Sequence, residues 1–302
     1  TGRVERGVIH VGDEMLLRND PYAREMTNSN GNSVIIDPAF DWGESNFRTP
    51  PWHEWVIYEL HIGTFNDSRG DQVGTFDRAI EKLDYLANDL GINVIEVMPT
   101  AEFPGAYSWG YNPAHLFAIE RDYGGPKAFR RFIKAAHERG IAVILDVVYN
   151  HLGPTDLDLW QFDGWSELGH SGGIYIYDDS RSYTPWGHTR PDYGRGEVRQ
   201  FLRDNALFWL EEFQLDGLRF DATAYMRTVD GFSNPLPDGW GLMQWINREV
   251  NERQSWKAMI AEDLREEEWV SKPESSGGAG FDSQWSAKFS QAVRHAIVTS
   301  QD

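Results

Sequence analysis

From Trp55 onward, short apolar runs alternate with amphipathic helical segments, and this alternation limits the fold more tightly than any other feature of the chain. Trp55-Val-Ile-Tyr-Glu-Leu reads as a buried strand, after which Phe76, Ile80, Leu83, Leu86, Ala87 and Leu90 recur at helical spacing. Gly91 stops that helix, and Ile92 to Met98 is the next strand. A further helix opens at Pro126, with Phe129, Phe132, Ile133 and Ala136 on one face and Gly140 beyond its end. Ile141 to Val148 is apolar on both faces, as parallel strands covered by helices are. The helix Val198 to Phe213 precedes a strand from Leu215 to Asp221, and a helix around Leu242 to Glu252 precedes Lys257 to Glu262. Phe281 to Trp285 then leads into a helix over Ala287 to Val298. Six such units with short connections require a parallel α/β fold. A doubly wound sheet and a (β/α)8 barrel begin alike. Asp146, Asp221 and Glu262 all sit at C-terminal strand ends, where barrels carry their chemistry, and this favours the barrel.

Two stretches stand outside the repeat. Residues 1–50 lack helical periodicity and read as strands with turns at Asn28-Ser-Asn-Gly-Asn and Asp37-Pro, the end of a small β domain. The barrel is expected over residues 51–302, interrupted by an irregular segment at 152–195 that is long enough to be a functional excursion over the barrel mouth. The absence of cysteine excludes disulfides and thiolate chemistry. A formal charge of −19 argues against a phosphate backbone as partner. The longest apolar stretches, such as Ile141 to Leu145, fall far short of the ~20 residues that span a bilayer, so no membrane partner is expected. With no charged-then-apolar leader, the expected location is the cytoplasm. The 13 tryptophans, 12 tyrosines and 16 phenylalanines suit either a large core or a groove of flat faces for sugar rings.

A single acidic residue at a strand end is usually a solvated or capping group; three after three different strands are another matter. Adjacent parallel strands lie about 4.8 Å apart, so Asp221 and Glu262, on consecutive strands, can approach within the roughly 5 Å that a retaining glycosidase needs. Arg219 shares a strand face with Asp221 and can hold that carboxylate ionised. Apolar Met259 and Ile260 and the charge of Asp221 would both raise the proton affinity of Glu262, as a general acid requires.

Asp146-Val-Val-Tyr-Asn-His151, Gly217-Leu-Arg-Phe-Asp221-Ala and Ile260-Ala-Glu262-Asp resemble the first three motifs of the α-amylase family of glycoside hydrolases and transglycosylases. Ser108-Trp-Gly-Tyr111-Asn, Tyr193-Gly-Arg-Gly-Glu-Val and Asn205-Ala-Leu-Phe-Trp-Leu look like glycogen branching enzymes. Glu102-Phe-Pro-Gly, Tyr149-Asn-His-Leu-Gly-Pro and Phe281-Asp-Ser-Gln-Trp look more like maltooligosyltrehalose trehalohydrolases. Asp20-Pro-Tyr-Ala-Arg and Asp37-Pro resemble the tail of the β-sandwich module that precedes the barrel in both groups. The resemblance implies Asp221 as nucleophile, Glu262 as acid/base and Arg219 as the group orienting the nucleophile. It also implies Tyr111 stacked under the sugar at the cleavage site, with Asp146 and His151 binding or supporting it. Read by chemistry alone, Asn150 and His151 could equally cap the strand end, and Tyr111 could be core. Asn150 corresponds to a calcium ligand in some amylases, but calcium takes six to eight oxygens and no such set assembles from the sequence. No cofactor is therefore expected.

None of the nine histidines is followed by aspartate, so the family's fourth motif is missing, and the strand count ends at six of eight. The expectation is an internal piece of a longer protein, inactive alone. The parent activity read first is a 1,4-α-glucan branching enzyme, with trehalohydrolase or α-amylase hydrolysis as the alternative. A non-catalytic α-glucan-binding protein is the alternative of another class. The partner in every case is an α-glucan polysaccharide or maltooligosaccharide.

Overall fold

The computed structural model describes residues 3–44, 46–67, 72–166 and 172–300. Its N-terminal part holds two small antiparallel pairs: β1 (Arg3–Glu5) with β4 (Ser33–Ile35), and β2 (Gly7–Val11) with β3 (Glu14–Arg18). Strand structure ends there. Apart from a 3-10 turn at Trp52–Glu54, the described residues between Ile35 and the first barrel strand carry no regular structure. The N-terminal segment is tied to the excursion, with Arg18 donating to the Phe162 and Gln161 carbonyls and Asn19 to Asp158.

The wall follows as β5 (Ile57–Leu60), α1 (Phe76–Ile80), β6 (Val94–Val97), a short antiparallel pair β7 (Ala101–Glu102) and β8 (His115–Ile119), α2 (Gly125–His137) and β9 (Ala142–Val147). After the excursion come α3 (Gly196–Glu212), β10 (Gly217–Phe220), α4 (Ala224–Arg227), α5 (Pro237–Gln254), β11 (Ala258–Ala261), β12 (Ser283–Gln284) and α6 (Ala287–Thr299). The six parallel strands stand in the order β12-β11-β10-β9-β6-β5. Chain order is kept throughout. A doubly wound sheet reverses its strand order at a switch point, whereas a barrel wall does not. The fold is therefore a six-strand parallel half-barrel, part of a (β/α)8 barrel.

Where one helix is expected over Phe76 to Leu90, the structure ends α1 at Ile80 and forms a π turn at Tyr85–Asp89. The wider turn keeps Leu83 and Leu86 buried while Leu90 lies exposed beside Gly91, whose φ is +74°. Thr75 caps α1 by accepting from the Arg78 amide.

Side chains alternate across the wall. Ile95, Val97, Val143, Leu145, Leu218, Phe220 and Met259 pack outward against helical Phe129, Phe132, Trp209, Leu242 and Ile246 and against Phe213 at the end of α3. Val94, Ala142, Ile144 and Ile260 form an apolar layer on the inner face, with Phe47, Trp55 and Ile57 packed on it.

The β7–β8 pair carries the loop that ends at Tyr111. Its Glu102 and Glu120 are both buried and sit side by side, Glu120 accepting from the Phe103 and Asp122 amides and Glu102 from the Arg121 amide. Burial first, and then the charge of Glu120, raises the proton affinity of Glu102. A carboxyl held above its unfolded pKa contributes full stability below that unfolded value and loses it as pH rises through the folded one. Glu102→Gln, whose amide oxygen keeps the Arg121 contact, is expected to match the parent near pH 5. Above about pH 8 it should be more stable by roughly 1–2 kcal/mol, checked by chemical denaturation at both pH values.

Candidate active site

On the inner face, Asp146 lies two residues beyond Ile144 and Arg219 two beyond Gly217, and the two are register partners across β9 and β10. Asp221 and Glu262 continue the same inward positions just past the ends of β10 and β11. Four side chains from three strands thus meet at the C-terminal rim.

Arg219 is the centre. Its Nη1 donates to Asp146 Oδ2 at 2.7 Å and to Asp221 Oδ1 at 3.1 Å. Its Nη2 lies 3.1 Å from Glu262 Oε2. Tyr111 Oη donates to Asp146 Oδ2 at 2.6 Å. The Asp146 side chain is 0% exposed, so it stands behind Tyr111 and Arg219 and out of a ligand's reach. Asn150 Nδ2 donates to both the carbonyl and the carboxylate of Asp221 at 2.8 Å. The Ala222 amide donates to Glu262 Oε2 at 3.0 Å from a left-handed backbone, with φ of +43° at Ala222 itself. A non-glycine residue held there costs on the order of 1–2 kcal/mol, and here the conformation aims an amide at a catalytic-type carboxyl.

His151 Nε2 donates to the Tyr111 carbonyl at 2.7 Å, and its Nδ1 lies 2.5 Å from Asn150 Oδ1. Trp186, delivered by the excursion, stacks on His151 with ring centroids 4.7 Å apart and meets Tyr225 edge-on at 5.1 Å. Leu152 and Thr189 bond to each other at the base of that excursion, and the buried Arg190 guanidinium bonds the Arg181 and Val229 carbonyls.

Burial raises the proton affinity of Glu262, Arg219 opposes this, and Asp221 adds to it through its charge and a shared hydrogen bond. Asp146 is also held well above the usual carboxylate range by burial, against the pull of Arg219. Burial alone would weaken Arg219, but Asp146, Glu262 and Asp221 more than offset it, so its charge is permanent. Burial pushes His151 down to about 4, leaving a neutral ring near neutrality. Burial and the charge of Asp146 keep Tyr111 a phenol that donates.

All six residues singled out in the sequence (Tyr111, Asp146, His151, Arg219, Asp221 and Glu262) fall in one hydrogen-bonded network. Asn150 turns its amide nitrogen to Asp221. Among the described residues no group of three or more His, Asp or Glu side chains could hold a metal ion. Sequence reasoning passed over Trp186, whose only signal was an aromatic in a long irregular segment. It also passed over Ala222, whose backbone conformation leaves no trace in residue type.

Asp221 and Glu262 share one guanidinium, each lying 3.1 Å from one of its terminal nitrogens. Two carboxyl groups drawn to one side chain from neighbouring strands suit attack by one and proton delivery by the other.

Residues 60–162 match the family model described as alpha amylase, catalytic domain. The chain is 37% identical over 285 residues to the malto-oligosyltrehalose trehalohydrolase of Saccharolobus solfataricus, covering 93% of this chain and 46% of the relative. It is 32% identical over 294 residues to the 1,4-alpha-glucan branching enzyme of Hydrogenovibrio crunogenus, covering 90% of this chain and 40% of the relative. A Salmonella typhimurium crystal structure that carries a provisional alpha amylase name superposes with a TM-score of 0.70 at 33% identity, covering 84% of this chain and 40% of that one. The chain thus spans under half the length of the relatives it matches. No helix among the described residues is long and apolar enough to cross a membrane.

Proposed function

Because the chain belongs to the α-amylase family, we propose that it holds the nucleophile and the acid/base of a retaining, α-glucan-active enzyme, and that the reaction is hydrolysis of the trehalohydrolase kind. The observation that carries this reading is Arg219 held between Asp221 and Glu262. In the first step the Asp221 carboxylate attacks the anomeric carbon while Glu262 passes its proton to the departing glycosidic oxygen. A glycosyl ester on Asp221 results. In the second step Glu262, now ionised, takes a proton from water, whose oxygen displaces Asp221 from the anomeric carbon. Tyr111 and Trp186 offer flat faces beside this point, and the neutral His151 braces the Tyr111 carbonyl without adding charge.

Sequence motifs alone placed branching first. The weight moves to hydrolysis because the trehalohydrolase of Saccharolobus solfataricus matches at 37% identity over 93% of the chain, against 32% over 90% for the branching enzyme. The two reactions share the glycosyl-enzyme and differ only in whether water or a sugar hydroxyl accepts it. The test incubates the protein, at its natural full length, with maltooligosyltrehalose and separately with amylose, followed by proton NMR. Release of trehalose is the expected result. New α-1,6 signals from amylose would return the assignment to branching, and binding without turnover would favour the non-catalytic glucan-binding reading.

A further inference from the structure

Below the rim, Glu96 of β6 points inward and is 2% exposed. Its Oε1 lies 3.8 Å from Arg219 Nε, the one guanidinium nitrogen not engaged by Asp146, Asp221 or Glu262. That separation is too long for a hydrogen bond. Both Arg219 Nε and Glu96 Oε2 are buried with no hydrogen-bond partner among the described residues. A buried donor without a partner, with a carboxyl group about one ångström beyond bonding distance that itself keeps an unpartnered oxygen, describes a contact that can close.

We propose that Glu96 is a positioning residue for Arg219: when Glu96 ionises, the guanidinium is drawn to the floor of the wall and away from Asp221 and Glu262. The reason is electrostatic. A neutral carboxyl competes weakly for Nε, whereas a carboxylate forms a short charge-assisted bond, and Arg219 cannot move toward β6 without lengthening its bonds at the rim. The charged and titratable groups facing Glu96 are Arg219 from β10, Glu59 from β5, Glu262 beyond β11 and Asp146 from β9. Burial pushes the Glu96 carboxyl up to about 7; Arg219 opposes this, and Glu59 and Glu262 add to it. Near neutrality a small change in pH therefore changes which carboxylates Arg219 serves. The consequence for catalysis rests on the proposed retaining mechanism, but the movement of Arg219 does not.

The experiment reads the movement directly. In protein labelled with 15N-arginine, the Arg219 Nε resonance is assigned by its loss in Arg219→Lys and followed against pH. The expected result is a shift with a midpoint near 7 in the parent protein, absent in Glu96→Gln. Glu96→Leu gives the same flat response if the glutamine variant does not fold. A resonance that does not respond, or responds alike in the variants, overturns the proposal whether or not glucan is turned over. In an active enzyme the alkaline limb of kcat/KM should fall as the loss of two protons in the parent and of one in Glu96→Gln. Identical limbs would overturn the link to catalysis. A responding resonance in a protein without turnover would instead count against the glucan reading and leave Glu96 in its role.

Discussion

Asp221→Asn should lower turnover of α-glucan by a factor of about 10⁴ or more while maltooligosaccharide is still bound. The substitution keeps the shape of the side chain but removes the attacking oxygen's charge. It also removes one acceptor, because Arg219 Nη1 and Asn150 Nδ2 donate to the two different oxygens of this carboxylate and one of them would face an amide nitrogen instead. The effect is expected in kcat, since no glycosyl ester can form. Glu262→Gln should behave differently. Asp221 can still attack a substrate with a good leaving group, but the ester then waits for a base that is gone. Mass spectrometry of Glu262→Gln treated with an activated glucosyl fluoride is expected to show one added glycosyl on the peptide bearing Asp221. Turnover that survives Asp221→Asn would sink the proposed mechanism and leave a glucan-binding protein.

How far the site was legible follows from what periodicity can report. Strand period two places Arg219 and Asp221 on one face, and consecutive strands bring Glu262 beside them; both relations are local and readable. The helices α2, α3, α5 and α6 were readable for the same reason, through a periodic apolar face ended by glycine, proline or a capping serine. The short β7–β8 pair was not, because two strand residues on one side give no alternation to detect. Trp186 reaches His151 from far along the chain, through a segment held by Leu152–Thr189 and by the carbonyl contacts of Arg190, and no spacing rule encodes that return. Glu96 was hidden differently. It sits in an apolar run, where a lone carboxylate reads as an irregularity until the register shows it beneath Arg219.

The largest effect on stability is expected from Arg219→Met. In the parent one buried cation faces Glu96, Asp146, Asp221 and Glu262. Methionine fills much of the volume but leaves four carboxyls with no counter-charge, and breaking a buried ionic cluster from one side costs about 3–5 kcal/mol. The cost has a sign in pH. Without Arg219 the carboxyls that it pulled down are held still further above their unfolded values, by burial and by each other. Stability from such groups is present below the unfolded carboxylate pKa and lost as pH rises through the folded values. Denaturant midpoints should therefore nearly coincide for variant and parent at about pH 4 and separate progressively toward about pH 8. Arg219→Lys should recover only part of the difference, since one ammonium cannot meet three carboxylates in the planar geometry that the guanidinium supplies. Equal midpoints for Arg219→Met and the parent at the higher pH would mean that Arg219 does not hold the rim together. Its place between Asp221 and Glu262 would then have to be explained by what it does to a bound sugar.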